Sequence, residues 1–189
     1  MGQINQPAYH HGNLRRVIID AALQAISESG PAGWSLRELA RRAGVSHAAP
    51  AHHFGDKQGL LTAVAAEGFA MFADTLERAA ADVWEVGVAY VRFAIDHRPY
   101  SEVMFRPELY RADDPSITSA RERAANVLVT SAGTLSPSPE HDRLTTIAAW
   151  SLAHGFAVLW LSGALPESAD GDPEALARSM IRLVFGAMR

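Results

Sequence analysis

Apolar side chains recur at helical spacing along most of the chain, and no segment alternates with the period of two that marks a half-buried strand. Leu14, Val17, Ile18, Ala21, Ala22, Ala25 and Ile26 form the first stripe, which predicts an amphipathic helix opened by Asn13 and stopped at Gly30-Pro31. Ser35-Leu36-Arg37-Glu38 has the form of a capping box, with Trp34 and Leu39 where a hydrophobic staple stands, so a second helix begins there and ends at Gly44. Ser46 is expected to cap a third helix reaching Phe54, and Asp56 a long fourth helix from Lys57 to about Ala81. Five more helices are predicted: from Asp82 to about Asp96, a short one from Pro99, one from Asp114-Pro115 to near Gly133, one from Ser138-Pro139 to about Leu165, and one from Asp172-Pro173. The repeated polar-then-proline start suits proline's fixed φ and missing N–H at the first helical position. The last helix carries Leu176, Met180, Leu183, Val184 and Ala187 on one stripe. The expected fold class is therefore all-α.

One segment raises a membrane question. No charge interrupts the chain between Arg143 and Glu167, a span long enough to cross a bilayer. Thr145, Thr146, Ser151, His154 and Ser162 lie within it and no basic residue closely flanks its far side, which favours a helix buried on most faces of a soluble protein. No membrane partner is expected. Residues 1–13 are polar and lack the apolar core of a secretory signal, and the absence of cysteine suits a reducing compartment, so a cytoplasmic location is expected.

The net charge of -4 argues against DNA binding until its distribution is considered. Residues 1–60 hold six basic residues against four acids and five of the eight histidines; residues 61–189 hold eleven arginines against seventeen acids. A mildly basic head sits on an acidic body, so phosphate contact falls to the head.

Residues 36–54 fit a helix-turn-helix: Leu39 as apolar contact, Ala40 as small crossing residue, Ala43 and Gly44 at the turn, Val45 as anchor. The second helix of such a unit turns polar side chains toward base edges, and here Ser46, His47, His52 and His53 are available, in a segment 47–53 that includes Ala48. Lys57, the only lysine, stands at a helix N-terminus suited to a phosphate, and Arg15, Arg16 and Arg37 offer further backbone contacts. The candidate DNA-binding residues are Arg15, Ser35, Arg37, Ser46, His47, Ala48, His52, His53 and Lys57.

Three stretches carry a family resemblance: Tyr9-His10-His11-Gly12-Asn13-Leu14-Arg15, the run from Ser35 to Ser46, and His53-Phe54-Gly55-Asp56-Lys57. Through them residues 9–68 resemble the TetR family of bacterial regulators. The resemblance implies a three-helix DNA-binding head (residues 1–56), a helical ligand-binding and dimerisation body (residues 57–189) and a two-fold homodimer on a palindromic operator, with repression released by an effector as the usual direction. Trp150, His154 and Gly155, with Tyr90-Val91-Arg92-Phe93-Ala94 and His97-Arg98-Pro99, make the body similar to the WHG-domain branch. In the family the last two helices usually form the dimer interface, which here implies residues 139–165 and 173–188. One departure is Ala51, where the family often has a phosphate-contacting tyrosine; Pro50 beside it limits the start of the recognition helix.

The resemblance also implies an effector cavity among the middle helices. Its candidate lining is Phe69, Tyr90, Phe93, His97, Met104, Phe105, Trp150 and His154, which suits a small, largely apolar ligand, although aromatic residues at helical spacing are more often plain core. His154 has three readings: a core histidine, a ligand contact, or a metal ligand, the last disfavoured because no second ligand stands at chelating spacing. Neither metal nor cofactor is expected. No nucleophile elbow, phosphate-binding glycine loop or His-Glu-x-x-His pair is present, so the chain is not expected to be an enzyme. An interaction module whose helix-turn-helix has lost DNA is the other alternative.

Overall fold

The computed structural model describes residues 11–166 and 171–186. Nine α-helices occupy the described residues, and no strand is present among them. The first three are α1 (His11–Ser29), α2 (Leu36–Arg42) and α3 (Ala49–Phe54), followed by α4 (Lys57–Ala79). The body continues with α5 (Val83–Asp96), α6 (Arg98–Met104), α7 (Pro115–Gly133), α8 (Asp142–Leu161) and α9 (Pro173–Phe185).

The caps explain most of these boundaries. Ser35 Oγ accepts from the Glu38 N–H at 3.2 Å, and the carboxylates of Asp56, Asp82, Asp114 and Asp172 accept from N–H groups in the first turns of α4, α5, α7 and α9. Asn13 does not precede α1, which begins at His11 and already contains it. Ser46 caps nothing. A helix through residue 46 needs an N–H from residue 50, and Pro50 has none. The Ser46 carbonyl instead accepts from the Ala49 N–H at 3.0 Å, so 47–48 form a turn and α3 starts at Ala49. The helix predicted from Pro139 begins with a 3₁₀ turn at Pro139–His141 and becomes α-helical at Asp142. Ala187, on the predicted final stripe, lies outside the described residues, as do Tyr9 and His10.

One core runs from head to body. Ile18, Ala22 and Ile26 of α1 join Leu39 of α2, Leu60 and Val64 of α4, Tyr90 and Phe93 of α5, and Met104 of α6 in a continuous buried cluster. α4 packs along α7 and also touches α1, α3, α5 and α6. Gly68 makes the α4–α6 contact close: a Cβ there would stand 2.6 Å from Met104 Sδ. Buried apolar side chains of this kind each contribute roughly 1.5–3 kcal/mol.

Two helical stretches are long and apolar enough to cross a membrane by length and composition, Lys57–Ala79 and Pro139–Leu161, but the first is largely covered by protein. The second departs from the sequence expectation of a helix buried on most faces. Only Thr145, Ala153, Phe156 and Ala157 of α8 are buried. Leu144, Ile147, Trp150, Val158 and Leu159 are exposed, because the helix carries a second apolar face pointing away from the core.

Candidate nucleic-acid interface and effector site

The helix-turn-helix closes as its residues dictate. Leu39 and Ala40 are fully buried, and the Val45 N–H donates to the Ala40 carbonyl at 3.0 Å across the turn. Gly44 makes that turn at φ +65°, a left-handed conformation that a residue with a Cβ adopts at a cost. Ala49 and Pro50 anchor α3 inward, so Ser46, His47, Ala48, Ala51 and His52 remain exposed on one edge, with His53 half-buried. The His52 and His53 rings meet edge to face, centroids 5.4 Å apart. Arg37 is exposed near this edge of the sequence unit and has no ion pair among the described residues. The Ser35 hydroxyl is occupied as the α2 cap.

The basic side chains differ in how free they are. Arg15 lies over the Phe54 ring, 5.3 Å from its centroid, and ties α1 to α3. Arg16 pairs with Asp20 and with Glu67 of α4, and these carboxylates raise its pKa further. Tyr100 of α6 donates to the same Glu67 at 2.5 Å; burial first, and then that carboxylate, push the phenol up to about 12. Arg16 therefore joins head to body. Lys57 is similarly occupied. Its ammonium donates to the carbonyls of Trp34 (2.7 Å) and Ala32 (3.2 Å) and stands 4.1 Å from the Trp34 ring centroid, while burial lowers its pKa. The site that the sequence offered to a phosphate is filled by carbonyls and an indole of the same chain. Arg111, which sequence reasoning missed, donates to both oxygens of Asp56 at 3.0 and 2.9 Å and links the α6–α7 connection to the start of α4.

The predicted effector residues are not gathered in one cavity. Phe69 and Met104 are packed in the core. Phe93 and His97 border a groove of about 420 Å³ between α4 and α5. Tyr90 and Trp150 line a crevice of only about 40 Å³. Phe105 and His154 line a third groove, of about 400 Å³, where α6 and α8 face the turn between α1 and α2. Arg98, whose guanidinium the sequence offers as a polar anchor for a ligand, also lines it; sequence reasoning missed the other walls: Gly30 and Pro31 of the head, and Ala94, Ser101, Glu102, Arg106, Ala157, Val158, Leu161 and Ser162.

Trp150, Tyr90 and His154 form a relay with defined donors. The Trp150 indole N–H can only donate, and it reaches Tyr90 Oη at 3.0 Å. Tyr90, buried and held in its protonated form by that burial, has one hydrogen to give, and His154 Nδ1 lies 3.1 Å away. Nδ1 thus accepts. Burial also lowers the His154 pKa, so the neutral ring keeps its proton on Nε2. The histidine is a hydrogen-bonded, half-buried side chain with a donor left over. Among the described residues no three His, Cys, Asp or Glu side chains gather to hold a metal.

Residues 18–64 match the family described as bacterial regulatory proteins, tetR family, and residues 83–184, more than half of the chain, match the tetracyclin repressor-like C-terminal domain. The HTH-type transcriptional regulator BetI of Escherichia coli is 51% identical over 49 residues, which are 26% of this chain and 25% of BetI. The match thus spans about a quarter of that relative. A protein of unknown function from Rhodococcus sp. RHA1 shares the fold over 97% of both chains, with a TM-score of 0.73 and 29% identity. PfmR, a TetR-family regulator from Thermus thermophilus, superposes with a TM-score of 0.65 at 19% identity, covering 89% of this chain and 97% of its own. With a helix-turn-helix head, an all-helical body and both family matches in their proper order, the chain belongs to the TetR family of bacterial regulatory proteins.

Proposed function

We propose that the chain is a repressor that binds a palindromic operator as a homodimer and is released by a small-molecule effector. The observation that carries the reading is the exposed edge of the helix-turn-helix, where Ser46, His47 and His52 stand with no hydrogen-bond partner for their side chains among the described residues. Residues 47–53 enter a major groove, with Ser35, Arg37 and Arg15 near the backbone. Lys57 acts chiefly by bracing the turn that positions α2. Residues 1–56 form the DNA-binding part and 57–189 the effector and dimerisation part, which we group with the WHG-domain branch on Trp150, His154 and Gly155. Such a regulator works in the cytoplasm, beside its DNA.

The outward face of α8 and α9 supports a second copy of the chain as the dimer partner. Leu144, Ile147, Leu183 and Val184 are all exposed, and Leu183 at 79%. A soluble protein covers an apolar face of this kind, and a two-fold partner presenting the same face does so. Selection of bound DNA from a random pool at two salt concentrations tests the reading. A palindrome with half-sites about 34 Å apart, or a modest stretch of that spacing, and a salt-sensitive affinity is expected. No enriched palindrome at either salt concentration would overturn it.

A further inference from the structure

We infer that the groove between the α1–α2 turn, α6 and α8 is the effector site, and that it takes a small amphipathic carboxylate. This rests on the reading of the chain as an effector-responsive regulator and adds the place and the chemistry. The groove measures about 400 Å³, within the range of small-molecule sites. Its apolar part is Phe105, Ala157, Val158, Leu161 and Pro31.

Its polar groups are donors in want of an acceptor. Ser101 is 9% exposed and its Oγ has no hydrogen-bond partner, which is costly for a buried hydroxyl. His154 spends Nδ1 on Tyr90 and retains an Nε2–H. Arg106 is exposed and unpaired among the described residues, while Arg98 is balanced by Glu102 at 2.7 Å. The uncompensated charge at the groove is positive. The groove between α4 and α5 differs: there Glu85 is committed to Arg178 and Arg92 to Glu174. An anionic head with a short hydrocarbon body satisfies the unpaired hydroxyl and cation and covers the apolar wall.

The place also supplies the coupling. Gly30 and Pro31 belong to the head, and the turn that holds them carries the Ala32 and Trp34 carbonyls that Lys57 binds. A ligand seated here touches head and body together, so it prefers one placement of the helix-turn-helix over others.

Calorimetric titration of the full chain with octanoate, octanol and octylamine tests the assignment. Octanoate is expected to bind once per chain and octylamine not at all. Arg106→Glu, at an exposed position, should weaken octanoate about tenfold and leave the fold intact. Ser101→Ala should weaken octanoate several-fold yet raise the unfolding midpoint of the ligand-free protein, since it removes an unpaired hydroxyl; a purely structural serine would not move both. Equal binding of octanoate and octylamine, octanoate affinity unmoved by Arg106→Glu, or no octanoate binding to a protein that still selects its palindrome would each overturn the site. Octanoate binding that obeys both variants, in a chain that selects no DNA, would support the groove and sink the regulator reading instead.

Discussion

Lys57 shows how a single side chain changes meaning once its surroundings are known. Its charge and its place at a helix start point to a phosphate, but two carbonyls and the Trp34 ring already surround the ammonium. Lys57→Ala is therefore expected to cost about 1–2 kcal/mol in urea unfolding, from a charged hydrogen bond and a cation–π contact, and to weaken all DNA sequences alike by loosening the turn. Unchanged stability with weaker DNA binding would return the ammonium to the phosphate. His154 makes a second prediction at this scale. Burial depresses its pKa, so between that lowered value and about 6.5 the unfolded chain binds the extra proton. Stability contributed by this group thus rises with pH through that window and is lost as pH falls. His154→Asn should flatten the difference in unfolding free energy between about pH 7.5 and about pH 5.5; parallel pH dependences would mean that the ring is not held neutral.

Helices and their ends were legible wherever the signal is local. Ser35, Asp56, Asp82, Asp114 and Asp172 cap the helices expected of them, because a side-chain oxygen a few residues from a free N–H needs no tertiary help. Ser46 misled for an equally local reason, the missing N–H of Pro50. The proposed effector site was far less legible. Phe105 and His154 lie on the groove, yet Phe69, Met104 and Tyr90 went to the core, while Pro31 entered from the α1–α2 turn and Ser101 and Arg106 from α6 and the residues just after it. Helical spacing tells which residues share a face; it does not tell which faces meet without filling the space between them. The turn at Gly44 gives the prediction for this scale. A Cβ there meets nothing within 4 Å, so the only penalty is the positive φ. Unfolding midpoints should fall in the order Gly, Asn, Ala, Val, with Gly44→Ala costing about 1 kcal/mol and DNA binding falling in step while the dimer persists. Equal tolerance of Asn and Val would place the cost in packing instead.

At the scale of the whole molecule, two surfaces have opposite characters. The head presents histidines and arginine, and the far side of the body presents leucine, isoleucine and valine from α8 and α9. The uncharged stretch of α8 after Arg143 looked ambiguous in sequence because a membrane span, a core helix and an interface helix share one composition. Its one-sided burial separates the core reading from the rest, and the polar Ser151, exposed on the same helix, and Ser162, exposed just past its end, fit a protein partner better than lipid. A decisive variant uses the residue with the least to do inside the chain. Leu183 is 79% exposed, so Leu183→Glu leaves the core of one subunit untouched but buries a carboxylate against its own copy across a two-fold axis. Equilibrium sedimentation should then give the mass of one chain, 20.4 kDa, where the unaltered protein gives twice that. Because two heads held together reach both half-sites at once, the monomer should lose about a hundredfold or more in operator affinity while each head keeps its base preference. A variant that stays dimeric would move the interface away from α9, and a monomer that binds the full operator undiminished would mean that the palindrome is not read by two heads.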